Sequence, residues 1–492
     1  MTAPSPVEKL PTRIPGLDRI AEGGLPLYRA TLVAGTAGSA KTVLAAQWLV
    51  EGIRAGEAGV FVTFEDAVAD LRRNLQSFGW PIAQWEDEGM WTFVDAAPDP
   101  EMHATVVGDY DLSALLARLT HAVRRSGARR VSLDSLNALY EQLKHTTVLR
   151  GELFRITRAL KELGTTVVFT GERTAEYGAI SRHALEEFVA DNVIILRNHM
   201  VDERRRRTVE LLKMRGAPHQ RGEFPFTVTD RGIVVIPLSA NELTQSSSTK
   251  RVTSGDAVLD EMCGGGVFRD SIILLSGATG TGKTLTVTQF MAGGVEAGER
   301  ALLFAFEESP DQLKRNAAAW GLDYARMEAE GRLRIVPSYP HAMALEDHLL
   351  QMYDAIDEFR PTRVAVDSLS ALERVSTVRG FREFVIGLTS TLKAHEIAGL
   401  FTSTTPSLMG GESVTEKHIS TLTDSIILLR YVETGGRMRR ALTVLKMRGS
   451  EHDPHIREFT IDGRGMTIGA PFTELTGILS GSPRAVPDDA DA

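Results

Sequence analysis

Short apolar runs alternate with longer amphipathic stretches along the chain. Ala30–Ala34, Arg130–Leu133, Thr166–Thr170, Val193–Leu196 and Ile272–Ser276 are apolar segments of four or five residues and read as strands. The stretches between them carry helical periodicity. This alternation predicts an α/β fold with a mostly parallel sheet and helices on both faces.

Two of these strands run into glycine-rich loops. The first loop is Gly35-Thr36-Ala37-Gly38-Ser39-Ala40-Lys41-Thr42, and the second is Gly277-Ala278-Thr279-Gly280-Thr281-Gly282-Lys283-Thr284. Each follows a strand and opens a helix, the context a P-loop needs. Backbone N–H groups wrap phosphates, the lysine reaches the outer phosphates and the threonine hydroxyl holds Mg²⁺. A nucleoside triphosphate and Mg²⁺ are therefore the expected ligands, with Thr42 and Thr284 on the metal side. The second loop matches the full pattern. In the first, Ala40 replaces a glycine, which is costly if φ is positive there.

Equivalent landmarks keep a constant spacing. Lys41 to Lys283 and Glu65 to Glu307 are each 242 residues apart, whereas Asp134 to Asp367 and Lys213 to Lys446 are each 233 apart. The chain is thus a duplication with a nine-residue difference between the second and third landmarks. Each copy is long enough for its own core. The expected domains are 1–240 and 250–482, followed by a short flexible tail, 483–492. The polar run Gln245–Thr249 reads as linker.

Composition narrows the class. The chain is 43 % hydrophobic and 24 % charged, with net charge −9 and one cysteine, Cys263. No apolar run suits a membrane span and the N-terminus is no signal peptide, so a cytoplasmic protein with no membrane partner is expected. The acidic balance argues against nucleic acid as a partner. The basic run Arg204–Arg207, placed between two strands, reads as a solvated hairpin edge, with a nucleic-acid or subunit contact as the alternative.

Phosphoryl chemistry also needs strand-end acids. Asp134 and Asp367 each close a strand and precede Ser-Leu, which suits a Mg²⁺-associated role. The pairs Glu65-Asp66 and Glu307-Glu308 begin 24 residues past each P-loop lysine, with Glu65 and Glu307 ending the strand after the P-loop helix, and are the candidate catalytic acids, Glu307 also facing the metal. The turns Lys213-Met214-Arg215 and Lys446-Met447-Arg448 are far along the chain from the P-loops. In a ring of P-loop domains, such groups reach the neighbouring subunit's nucleotide.

With these motifs in both halves, the chain resembles the KaiC family of circadian-clock ATPases and autokinases, within the RecA-like superfamily, from about Pro11 to Ser482. The resemblance implies two tandem RecA-like P-loop domains in a homo-hexamer with ATP between subunits. It implies a slow ATPase in the first half, with Glu65 and Asp66 as catalytic acids. Lys213, Met214, Arg215, His219, Thr229 and Asp230 match cross-interface nucleotide contacts. In the second half it implies a kinase with Glu307 and Glu308 as its acidic pair, and nucleotide contacts from Trp320, Lys446, Met447 and Arg448. The family's adjacent Ser-Thr phosphoacceptors match Ser420 and Thr421, and Thr415 matches a further threonine that can hold phosphate. At the 233 spacing, the first half places Glu187 and Phe188 opposite Ser420 and Thr421, so it lacks acceptors.

The family's clock members continue past Ser-Gly-Ser-Pro into a helical tail that docks KaiA. Here only Arg484–Ala492 follow, so dependence on a KaiA-like partner is not expected. Ala175–Ile180 resembles the family's KaiB-binding loop, which implies a KaiB-like partner. Two other readings compete with the autokinase: a nucleotide-gated scaffold with little turnover, and a DNA-handling RecA relative.

Overall fold

The computed structural model describes residues 7–97, 112–136, 146–178, 189–201, 204–237, 247–405, 421–479 and 484–485. The candidate acceptors Thr415 and Ser420, part of the interdomain seam (238–246), Ala179–Ile180 and most of the tail lie outside the described residues. The chain divides into two compact units, Met1–Ala240 and Asn241–Ala492.

In the first unit the main strands are β1 (Ala30–Gly35), β2 (Gly59–Thr63), β3 (Trp91–Asp95), β4 (Arg130–Asp134), β5 (Thr166–Glu172), β6 (Asn192–Val201), β7 (Arg204–Met214), β8 (Glu223–Thr229) and β9 (Gly232–Val235). They form one sheet in the order β9-β8-β7-β6-β1-β5-β4-β2-β3. The six strands from β6 to β3 are parallel. β7, β8 and β9 extend the sheet in antiparallel fashion.

The second unit repeats this plan with β10 (Ile272–Gly277), β11 (Ala301–Ala305), β12 (Leu333–Pro337), β13 (Arg363–Asp367), β14 (Ala398–Thr404), β15 (Ser425–Thr434), β16 (Arg437–Met447), β17 (Arg457–Asp462) and β18 (Gly465–Pro471). Their order is β18-β17-β16-β15-β10-β14-β13-β11-β12, the first sheet with every number raised by nine.

Alternate residues of β1 feed opposite faces of the sheet. Val33 joins Leu44, Trp48 and Leu49 of the P-loop helix α1 (Lys41–Arg54). Leu32 and Ala34 join Leu119, Ile156 and Leu160 from helices on the other face. In the second unit, Leu285, Phe290 and Met291 of the P-loop helix α2 (Lys283–Glu296) pack on Ile273, Leu275 and Leu303. Cys263 lies in that core, where burial pushes its thiol up to about 12.

A buried arginine fastens each P-loop helix to the strand that ends in the site aspartate. Arg130 Nη1 donates to Trp48 O at 2.9 Å while Nε meets Glu57 at 2.7 Å. Arg363 Nη1 donates to Phe290 O at 2.7 Å and Nε meets Glu299 at 2.5 Å. A buried cation needs such partners to offset its lost hydration.

Two details differ from the sequence expectation. β2 and β11 stop at Thr63 and Ala305, so the acidic pairs lie in the segments just beyond the strands. Arg204–Arg207 does not join two strands: it is the first part of β7, paired with Val201 to Asn198 of β6.

Candidate functional site: two P-loop centres

Each P-loop closes on itself in the same way. Ser39 Oγ donates to Thr36 O at 2.8 Å, and Thr281 Oγ1 donates to Ala278 O at 2.8 Å. Lys41 Nζ donates to Gly35 O and Thr36 O at 3.0 and 2.9 Å. Lys283 Nζ donates to Gly277 O and Ala278 O at 2.9 and 3.0 Å. Burial pushes both ammonium groups down, opposed by Glu172, Asp134, Glu65 and Glu176 around Lys41 and by Asp367 and Glu307 around Lys283. Gly38, Thr279 and Gly280 form the exposed rim, while Thr281 is buried beneath it. The residue before the lysine is left-handed in both loops, with φ +71° at Ala40 and +111° at Gly282.

The strand-end aspartates stand beside the P-loop threonines. Thr284 Oγ1 donates to Asp367 Oδ2 at 2.8 Å, and Thr402 Oγ1 donates to Asp367 Oδ1 at 2.6 Å. Asp134 accepts from Thr170 Oγ1 at 2.5 Å and is also hydrogen-bonded by Thr42. Burial pushes both carboxyls up, and the hydroxyl partners and the P-loop lysines oppose it. A desolvated carboxylate beside a hydroxyl suits an outer-sphere position on a hydrated cation, and Mg²⁺ keeps several waters in such sites. Among the described residues no group of three or more His, Cys, Asp or Glu is arranged to hold a metal by itself. Thr42 with Asp134, and Thr284 with Asp367, therefore fit a Mg²⁺ that takes its other ligands from phosphate and water.

The acidic pairs separate the two centres. Glu65 accepts from Ser135 Oγ at 2.7 Å. Glu307 is paired with Arg374 at 2.7 Å, both groups being largely exposed. Asp66 is exposed, and its carbonyl accepts from Thr63 Oγ1 at 2.7 Å. Glu308 accepts from Asn316 Nδ2 at 2.8 Å; burial, then the nearby Asp367 charge, push its carboxyl up. Sequence reasoning missed Arg374, although a signal for it exists: at the 233 spacing its counterpart is Glu141, a reversal of charge.

The Lys-Met-Arg residues do not join their own P-loop. Each P-loop follows the carboxyl end of its central strand. Lys213 Nζ donates to Ala190 O at 2.9 Å and Arg215 meets Asp191 at 3.4 Å, just before β6 begins. Asp191 N in turn donates to Ala30 O, at the amino end of β1. The second unit repeats this. Lys446 Nζ donates to Thr423 O at 2.7 Å, Arg448 Nη2 donates to Thr421 O at 3.1 Å, and Asp424 N donates to Ile272 O. The basic turns and Thr421 therefore lie at the end of the sheet opposite the P-loop of the same unit. Met214 and Met447 end β7 and β16 as buried core residues. His219 is partly buried in the loop that follows β7, Thr229 closes β8, and Asp230 lies exposed in the β8–β9 turn. Trp320 caps helix Pro310–Ala319 and packs against the second core.

A central strand feeding a P-loop, a strand one place removed from it that ends in a hydroxyl-bound aspartate, and a mostly parallel sheet define each unit as a RecA-like P-loop domain. A family model described as "ATPase: KaiC" matches twice, over residues 10–240 and 252–472. The chain belongs to the KaiC family. It is 63 % identical over 478 residues to the circadian clock protein KaiC3 of Synechocystis sp., covering 97 % of this chain and 95 % of that protein. It is 52 % identical over 484 residues to the circadian clock oscillator proteins KaiC of Thermostichus vulcanus and Synechococcus elongatus, covering 98 % of this chain and 93 % of each. Among the described residues no helix is long and apolar enough to cross a membrane.

Proposed function

We propose that this chain is an ATP-hydrolysing serine/threonine autokinase that works as a nucleotide-dependent homo-hexameric ring in the cytoplasm. Domain 1–240 is the ATPase and domain 250–482 the kinase. The observation that carries this reading is the opposed placement of P-loop and basic turn in each unit. One subunit holds phosphates at the carboxyl end of its central strand and offers Lys213 and Arg215, or Lys446 and Arg448, at the amino end. Such a head-to-tail contact is heterologous and forms a ring when its rotation closes.

The same placement makes phosphorylation an event between subunits. Thr421, which Ser420 precedes in the chain, sits at the end of the sheet away from its own P-loop, so its hydroxyl meets the ATP of a neighbour. Lys283 and the backbone of Gly277–Gly282 hold the phosphates. Bound Mg²⁺, held by Thr284 with Asp367 behind it and Glu307 nearby, supplies neutralisation of phosphate charge. Glu307, with Glu308 beside it, takes the hydroxyl proton as the oxygen bonds to the γ-phosphorus and ADP leaves. Glu307 must first loosen its pair with Arg374. In the first half Glu65, with Asp66, orients a water instead, and Thr42 and Asp134 hold the metal. His219, Thr229, Asp230 and Trp320 complete the nucleotide contacts. A KaiB-like protein binding at Ala175–Ile180 is the partner this scheme includes. Turnover is slow, on the order of 10⁻⁴–10⁻² per second, as in P-loop sites without an efficient finger.

Intact-mass and peptide mass spectrometry after incubation with Mg-ATP tests the kinase. Phosphate on Ser420 or Thr421, with Thr415 as a further position, is the expected result. A chain that hydrolyses ATP without gaining phosphate between Thr415 and Thr423 is a nucleotide-gated ATPase and no autokinase. Light scattering with and without ATP tests the ring.

A further inference from the structure

The first P-loop has a carboxylate neighbour whose sequence counterpart in the second half is a methionine. Glu176, in the loop after β5, accepts from the Thr36 hydroxyl at 2.5 Å through Oε1. Its Oε2 accepts from the backbone N–H of Asn198 at 2.9 Å. Two more bonds fasten this loop down. Arg173 N donates to Gly35 O at 3.0 Å and Arg197 Nε donates to Glu176 O at 3.2 Å, while Asn198 Nδ2 ties β6 to the P-loop by donating to Gly38 O at 3.2 Å. At the 233 spacing Glu176 corresponds to Met409, and the stretch Thr405–Gly411 around it contains no acid. At the loop rim there, the Tyr431 hydroxyl takes the place of the Asn198 amide beside Gly280.

A carboxylate on Thr36 stands where phosphate charge accumulates. Thr36 O is one of the two acceptors of Lys41 Nζ, the group that reaches the outer phosphates. Lys41 also feels the Glu176 charge directly, whereas the carboxylates felt by Lys283 are Asp367 and Glu307. Two anions in one half-buried site repel, and the repulsion grows with each added phosphate charge.

We propose that Glu176 is a specificity-determining residue of the first site that biases it toward nucleoside diphosphate over triphosphate. The proposal rests on the reading that the first P-loop holds ATP. Glu176 is fixed by its two hydrogen bonds, so it cannot swing away without unseating the Arg173–Gly178 loop. A triphosphate must either tolerate the repulsion or displace that loop, whereas a diphosphate leaves the terminal position clear. The second site carries no such bias and retains triphosphate for transfer.

The test measures Mg-ADP and Mg-AMP-PNP binding by titration calorimetry on the full chain with the second site silenced by Lys283→Ala. Glu176→Gln removes the charge; its Oε1 can still accept from the Asn198 N–H while its Nε2 donates to the Thr36 hydroxyl. It should raise AMP-PNP affinity relative to ADP affinity by about fivefold or more, the scale of a typical coupling between sites. Glu176→Asp should keep the preference for diphosphate. A merely structural role would weaken both nucleotides together, so an unchanged affinity ratio overturns the proposal. Absence of binding by either nucleotide in the Lys283→Ala chain overturns the ATP-site reading instead. Hydrogen exchange of wild-type residues 173–178 decides the matter if Glu176→Gln does not fold. Faster exchange with AMP-PNP than with ADP is expected, and equal exchange overturns the proposal.

Discussion

The first P-loop carries Ala40 where the second carries Gly282, and their backbones differ accordingly: φ is +71° at Ala40 and +111° at Gly282. An L-residue fits the left-handed basin near +60° at a cost of roughly 1–2 kcal/mol. It does not fit the wider angle, which only glycine reaches easily. The acids differ in the same sense of shared plan and altered surroundings. Glu65 rests on a neutral hydroxyl, whereas Glu307 is held by a guanidinium. Two sheets of one topology thus carry sites with different charge balances among the described residues: more carboxylates around the first lysine, and a cation on the candidate base of the second. Duplication conserved the scaffold while side chains at the strand ends diverged.

The sharpest way to break this comparison is to remove the acids one at a time. Glu307→Gln should lower phosphate incorporation by ~10²–10⁴-fold, the usual worth of a positioned base, while nucleotide binding persists. Glu65→Gln should instead slow ATP hydrolysis and leave the phosphorylated mass intact. Equal loss of phosphorylation in both variants, read by intact mass, would erase the division of labour.

Backbone strain should separate the loops next. Gly282→Ala places a Cβ 3.0 Å from Ile461 Cδ1 at φ +111°. Strain of ~1–2 kcal/mol or more corresponds to about a tenfold loss of nucleotide affinity at the second site. Ala40→Gly relieves the milder strain of the first loop and should tighten its binding a few-fold, to the extent of ~1 kcal/mol. Titration of each variant with the other P-loop lysine replaced by alanine checks both.

Arg374→Gln frees the Glu307 carboxylate. The pair is exposed, so its worth is ~0.2–1 kcal/mol and the expected rise in second-site hydrolysis is no more than about fivefold, measured in a Lys41→Ala background. A fall would mean that the guanidinium assists the phosphates rather than restraining the acid.

The smallest effect concerns a turn. Burial of Asp453 would raise its carboxyl, but the His455 N–H and ring and the Arg457 guanidinium outweigh this and hold it at about 2. A depressed carboxyl contributes stability that is present above the ordinary value of 3.8 and is lost as pH falls toward about 2. The urea midpoint of Asp453→Asn should lie below wild type at pH 6, with the gap closing across that window. The first half has Gln220 at the equivalent place, so Gln220→Ala should show no such pH dependence.

Strand–helix alternation, the P-loop spacings and the two constant offsets were legible in the sequence because they rest on local chemistry. A strand, a glycine turn and a helix opening are adjacent in the chain, and period and residue type report them directly. The same offsets exposed the missing acceptors opposite Ser420 and Thr421, and they also hold the reversal of Arg374 to Glu141. Contacts between residues distant in sequence were decided only in three dimensions. The strand directions in the sheet put Lys213 and Lys446 at the end away from their own P-loops, although chain separation showed only that they were remote. The seating of Glu176 on Thr36 joins residues 140 positions apart. The left-handed angle at Ala40 came from how the loop closes over its own carbonyls, and no residue-type rule sets that angle for alanine. Local propensity names the parts, but which part faces which phosphate depends on strand order and on packing of the helices that fix each strand end.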